Sequence, residues 1–237
     1  MSEFYEQYAN VIKNLLDEII IKEHDNINKA GELIARSIMN GGIIQTFGSG
    51  HSYLAALEIC GRAGGLIPSK VIEEPSRGDY EMVEGVGEQF CKKIDVQPND
   101  VFIVISNSGR NPMGIEIADF FKSNGVPIIV VTSLEVSRSM SSRHSSGKLL
   151  YKFGDVVLDN HGVFGDSIME MPGMPEKVSA SSSFTSMMLL DCAVLYAIEV
   201  MLSKGFIPAV FRSANIDGGS EFNEKLQAKY ANRLKRV

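Results

Sequence analysis

Apolar residues recur at helical spacing near the start of the chain. Tyr8, Val11, Ile12, Leu15, Leu16 and Ile19 share one face of a helix predicted over residues 4–21. A second helix is predicted over 26–39, closed by Asn40, Gly41 and Gly42, which tolerate left-handed backbone. The period then changes. Residues 43–47, 101–106 and 126–132 are short, β-branched, mostly apolar runs bounded by Gly, Pro, Asn or Ser, with weaker runs of the same kind at 66–72 and 156–158. Continuous rather than alternating apolar runs mark strands covered on both faces, as in a parallel sheet. Helical patterns at 52–63, 82–93, 112–123 and 142–153 lie between them. Strand and helix in alternation predict an α/β fold: a doubly wound, mostly parallel five-stranded sheet with helices on both faces, preceded by two helices.

The last third differs. A loop holding Gly162, Gly165, Pro172, Gly173 and Pro175 leads into residues 181–202, apolar on nearly every side. Such a helix is buried in a core or in a subunit contact. Its most apolar part, 187–202, contains Asp191 and Glu199 and falls short of the ~20 residues a bilayer needs. After Gly205 and Pro208 come a short extended piece, a loop over 213–219 and a polar helix over 221–234. With no internal repeat and no low-complexity linker, one domain over 1–237 is expected. Its leading helices (1–40) would contribute to oligomerisation, and 205–237 would form a C-terminal extension.

Composition narrows the function classes. Of 237 residues, 44% are hydrophobic and 22% charged, which excludes a disordered chain. Lys and Arg number 23 against 29 Asp and Glu, a net charge of −6, so a general nucleic-acid binder is excluded. An anionic small molecule is not, because a few local donors override the sign of the whole. Cys60, Cys91 and Cys192 show no CxxC spacing and read as reduced thiols. The N-terminal stretch carries acids early and lacks the apolar core of a signal peptide. A cytoplasmic protein with no membrane partner is expected.

Ligands of open α/β sheets bind outside the carboxyl ends of the strands. Two of those ends carry unusual turns. Gly48-Ser49-Gly50-His51-Ser52 follows the first strand, and Ser106-Asn107-Ser108-Gly109-Arg110-Asn111 leaves the strand at 101–105 and enters a helix beginning at Pro112. Glycines let backbone approach a ligand, helix N-termini aim N–H groups at it, and the serine and asparagine side chains add donors. One such turn is usually a cap; two on neighbouring strands point to a phosphate site. Gly48-Ser49-Gly50 also begins a dinucleotide fingerprint, but its third glycine falls on Tyr53, with Glu73 and Glu74 in the place of the ribose-binding acid. The nucleoside-triphosphate loop is absent, since no Gly-Lys-Ser/Thr follows the strand.

Together the Gly-Ser-Gly-His-Ser turn and the Ile105-Ser-Asn-Ser-Gly turn resemble the sugar isomerase, or SIS, family, in which such turns hold the phosphate of a sugar phosphate. By that resemblance Ser52, Ser106, Ser108 and Asn111 would contact phosphate, with Asn107 and the Gly50 and His51 backbone completing the cradle. The phosphoheptose isomerases are a similar subgroup, also short and led by two helices. They place a metal-binding His and an acid where this sequence has Glu58 and Arg62, which counts against zinc and heptose. Nor is there a helix-turn-helix domain of the kind the family's regulators carry.

Aldose–ketose isomerisation needs a base for the C2 proton and an acid for the carbonyl oxygen. Glu58, ~9 Å along a helix from Ser52, is the candidate base, with a structural ion pair to Arg62 as the alternative. His51 is the candidate acid or ring-opening group. Ser49, His144, Lys148, Ser182, Ser183 and Thr185 are candidates for sugar hydroxyls. Residues 143–148 also read as ordinary surface charge, and the 181–186 serines as helix caps. His161 with Asp159 and Asp166 matches no strong metal motif, so neither a metal nor an organic cofactor is expected. The expected activity is isomerisation of a sugar phosphate between C1 and C2 by a homodimer or homotetramer. A non-catalytic phosphosugar sensor, or an amino-sugar 6-phosphate lyase or etherase, is the alternative.

Overall fold

The apolar runs and helical stripes assemble as a parallel sheet sandwiched between two helical layers. The structure, a computed structural model, describes residues 3–235. Helices α1 (Phe4–Lys22) and α2 (His24–Met39) come first. Then follow β1 (Ile44–Gly48), α3 (Ser52–Glu58), β2 (Ser69–Val71), α4 (Val86–Cys91), β3 (Val101–Ile105), α5 (Pro112–Ser123), β4 (Ile128–Thr132), α6 (Leu134–Ser139) and β5 (Val156–Asp159). A short hairpin of β6 (Ser167–Met169) and β7 (Val178–Ala180) precedes α7 (Ser182–Ser203) and α8 (Gly219–Gln227).

The five long-range strands pair in parallel in the order β2-β1-β3-β4-β5. Ile44 lies opposite both Ser69 and Val101, and Phe102 opposite Ile128. Each central strand is buried throughout, and its side chains alternate between two cores. Ile44, Ile103, Ile105 and Val131 pack against α2, α3 and α7. Phe47, Phe102, Val104 and Val130 pack against α5 and its neighbours, where the Phe102 and Phe121 rings stack 3.9 Å apart. Burial on both faces is why these runs are mostly apolar, and the buried polar side chains of β1, Gln45 and Thr46, are hydrogen-bonded to Asp100 and to the Ala56 carbonyl. α7 has the length and apolarity of a membrane span, but Leu189, Leu190, Ala193, Ala197 and Met201 are buried in the first of these cores.

Chain order reverses between β1 and β3. The chain leaves β1 toward β2, then crosses back to lay β3 on β1's other edge. The crevice above such a switch point is where doubly wound sheets bind ligands.

Several elements differ from the sequence expectation. The helix over 52–63 ends at Glu58, ahead of Gly61 and Gly64, both at positive φ. Residues 82–93 supply only the six-residue α4, because Gly78 and Gly85 (φ 107° and 89°) turn the preceding segment. Residues 142–153 form a loop ending in a 3-10 turn at Leu150–Phe153. There, short polar side chains compete with the helix for backbone donors: His144 N–H donates to Ser142 Oγ, Ser146 N–H to His144 Nδ1, and Lys148 N–H to Ser146 Oγ. The terminal helix stops at Gln227 and continues as a 3-10 turn.

Candidate functional site

Glycine at 48 is a steric requirement of the first turn. A Cβ there would sit 2.4 Å from the Ser52 carbonyl oxygen as the chain doubles back into α3. The fold-back leaves the Gly50 and His51 amides without an acceptor among the described residues. The second turn reverses at Gly109 (φ 60°), whose N–H donates to Ser106 Oγ (3.2 Å) and where a Cβ would meet Ser137 Oγ at 2.9 Å. Asn107 is clamped from three sides. Its carbonyl accepts from Thr132 Oγ1 and the Ser133 amide, both at 3.1 Å, and its side-chain oxygen accepts from Asn160 Nδ2, also at 3.1 Å.

The two turns open into one cleft of about 440 Å³ at the switch point. That volume falls in the ordinary range for small-molecule sites. Ser49, Gly50, His51 and Ser52 line it from the first turn, and Ser106, Asn107, Ser108 and Asn111 from the second. The Ser52 and Ser108 hydroxyls donate to no protein acceptor among the described residues. Two carboxylates also line the cleft. Asp166, on the turn before β6, accepts from the Ser181 and Ser182 amides and from the Ser182 hydroxyl (3.3, 2.9 and 2.6 Å), so it caps α7. Glu81, from the irregular segment between β2 and α4, accepts from Asn111 Nδ2 at 2.9 Å. Burial raises the Glu81 carboxyl above its ordinary value. The Ser49 hydroxyl and Arg143 oppose that rise, and Glu74 adds to it.

Most of the remaining expected site residues lie elsewhere. Glu58 pairs with Arg62 and faces an open groove with Leu54, Leu57 and Met187, on the outer side of α3 from the cleft. His144 and Lys148 line a separate cavity of about 230 Å³ with Glu88, Cys91 and Glu116, since the loop that replaces the expected helix carries them behind the second turn. Ser182 reaches the cleft but its hydroxyl is spent on Asp166. Ser183 lines a narrow gap beneath the cleft beside Ser186. Thr185 is fully buried, its hydroxyl near the Ser181 and Ser182 carbonyls. Glu74, one of the two acids in the dinucleotide reading, is also committed: it accepts from the Ser76 and Gly78 amides at 2.7 and 2.6 Å. Among the described residues, no group of three or more His, Cys, Asp or Glu is placed to hold a metal ion.

A family model for the SIS domain matches residues 7–133, the stretch that contains both turns. The chain belongs to the SIS-domain family. Its full-length relatives include a UPF0309 protein of Listeria monocytogenes, 54% identical over 222 residues (94% of this chain, 95% of the relative). Another, from Geobacillus kaustophilus, is 38% identical over 237 residues (96% and 94%). Among solved structures, the phosphoheptose isomerase GmhA from Neisseria gonorrhoeae aligns with 81% of this chain and 96% of its own, at 15% identity and a TM-score of 0.52. The Vibrio vulnificus NanR protein complexed with ManNAc-6P aligns with 100% of this chain and 72% of its own, at 13% identity and a TM-score of 0.55. At those identities the likeness is one of fold, and it confirms the SIS architecture read from the sequence.

Glu81 is the cleft residue that sequence reasoning missed in this SIS chain. Nothing in the run Glu73–Glu84 marks one acid above the others. What distinguishes Glu81 is that Gly78 brings the segment against the first turn, where a Cβ on Gly78 would meet the Gly50 nitrogen at 3.1 Å.

Proposed function

We propose that this SIS chain binds a sugar phosphate and isomerises it between C1 and C2. The carrying observation is that two donor-rich turns and the half-buried Glu81 carboxylate line the same cleft. The phosphoryl group would sit between the turns, taking hydroxyl donors from Ser52, Ser106 and Ser108 and amides from Gly50 and His51. Hydrogen bonds to a charged acceptor are the stronger kind, and the turns are fixed before the ligand arrives.

Glu81 then replaces Glu58 as the proposed base. Its carboxylate takes the proton from C2 of the open-chain aldose as the C1 carbonyl oxygen gains one from an acid, giving a cis-enediol. Returning the carried proton to C1 while the C2 hydroxyl loses its own yields the ketose, with no net change in protons or electrons. His51, exposed at the mouth of the cleft, is the proposed acid and ring-opening group. A carboxyl raised by burial is a stronger base than an exposed one once ionised, which suits abstraction from carbon.

Incubation with candidate hexose and heptose phosphates in D2O, followed by proton NMR, tests this reading. Loss of the C2 proton signal with one sugar phosphate is expected. A ligand that stabilises the protein thermally yet keeps its C2 proton would leave a binding protein and overturn the isomerase.

A further inference from the structure

Glu81 sits on a segment with no regular secondary structure, so its position must be imposed from outside. Its N–H donates to the Gly78 carbonyl at 3.2 Å and its carbonyl accepts from the Met113 amide at 3.3 Å, while the carboxylate itself is held through side chains. Asn111, expected from the family resemblance to bind phosphate, turns its amide the other way: Nδ2 donates to Glu81 Oε1 at 2.9 Å. The Asn111 side-chain oxygen accepts from Arg143 Nη1, also at 2.9 Å. That order is enforced by charge. A flipped amide would set its oxygen against the Glu81 carboxylate and its NH2 against the guanidinium, and both contacts repel. The loop carrying Arg143 is itself fastened to the Glu81 segment. Glu84 accepts from the Ser145 amide at 2.9 Å and from its hydroxyl, and Arg143 also touches Met82 Sδ.

We infer that Asn111 and Arg143 are positioning residues for Glu81, Arg143 orienting the Asn111 amide and that amide aiming the carboxylate into the cleft. This rests on the proposed role of Glu81 as the base. It removes Asn111 from the phosphate cradle and gives the loop at 140–148 a part in the reaction, although His144 and Lys148 do not reach the cleft. The charged and polar groups around Glu81 come from several elements. Arg143 lies on that loop, Glu74 on the same segment, and Ser49 on the first turn. His51 and Asp166 line the same cleft. Arg143 is the cation among them whose charge opposes the rise of the Glu81 carboxyl. It is exposed, so replacing it leaves the folded core intact.

Two measurements on the full chain test the pair. In the first, carbon-13 NMR of labelled glutamate, with Glu81 assigned by its absence in Glu81→Gln, follows the titration of the carboxyl without any substrate. Arg143→Met is expected to move the midpoint to higher pH, and Arg143→Lys to recover part of that shift; an unmoved midpoint in Arg143→Met overturns the proposal. In the second, the pH profile of C2–H exchange is recorded. For Arg143→Met and Asn111→Ala we expect kcat lower by about tenfold, KM within about twofold, and, in Arg143→Met, an acid limb moved to higher pH. A raised KM with kcat unchanged would instead make these residues ligand contacts and overturn it. The two readings fail separately: an active Glu81→Gln removes Glu81 as the base, and with it this inference. An inactive Glu81→Gln beside an unshifted Arg143→Met removes only the positioning role.

Discussion

A base near carbon must be ionised when the substrate arrives and still basic enough to take a proton, and burial sets those two demands against each other. Burial pulls the Glu81 carboxyl upward, while Ser49 and Arg143 hold it back. The same tension appears in stability. A carboxyl raised in the folded state favours its protonated form there, so the stability it contributes is present at low pH. That contribution falls as pH rises from the unfolded carboxylate value through the folded one, and the penalty persists above it. Glu81→Gln is therefore expected to raise the melting temperature at pH 7.5, an advantage that disappears near pH 4, while C2–H exchange falls by two to four orders of magnitude. An equal shift at both pH values would mean that the carboxyl is not destabilised by burial. The phosphate donors give a different signature. Ser52→Ala and Ser108→Ala are each expected to weaken sugar-phosphate binding by about ten- to a hundredfold in calorimetry, the worth of one hydrogen bond to a charged group. They should leave the melting temperature of the free protein unchanged.

At the scale of elements, the sheet rests on a polar clamp at the strand ends away from the cleft. Asp100, 1% exposed, accepts from the Ile43 and Gln97 amides, from Gln45 Nε2 and from Arg233 Nη2 (3.1, 2.9, 2.9 and 2.7 Å). It joins the starts of β1 and β3 to the C-terminal segment. Asp100→Ala strands those donors and should cost about 3 kcal/mol in urea unfolding, with ligand affinity in the folded fraction unchanged. The central strands, α1, α2, α5, α7 and both turns were legible in the sequence because each carries a local signal: a β-branched run, a helical stripe, or glycines and serines at a strand end. The β6–β7 hairpin was not. Its strands have three residues each, too short for alternation to register. The 140–148 loop misled because Ser, His and Lys at those spacings satisfy a helical pattern while their side chains take the backbone donors. Glu58 misled for a reason of direction: the helix carrying it starts at the cleft, but the face that holds Glu58 turns outward toward Arg62.

For the molecule as a whole, the strand order concentrates both turns and Glu81 at one crevice and leaves a broad apolar surface elsewhere. Leu54 and Leu57 on α3 and Phe184, Leu195 and Leu202 on α7 are exposed, and Leu195 shows 66% of its surface to solvent. A surface of that kind on a small domain favours self-association. The chain is expected to sediment as a dimer or tetramer, and Leu195→Glu to shift it toward monomer; a monomeric parent would remove this expectation. Whether two turns grip one phosphoryl group within reach of Glu81 is decided by the crystal structure of the protein with a bound hexose 6-phosphate. The phosphorus is expected between Ser52 and Ser108, with C2 within about 3.5 Å of a Glu81 carboxylate oxygen. A phosphoryl group held outside these turns, or a sugar whose C1 and C2 lie far from Glu81, would contradict it.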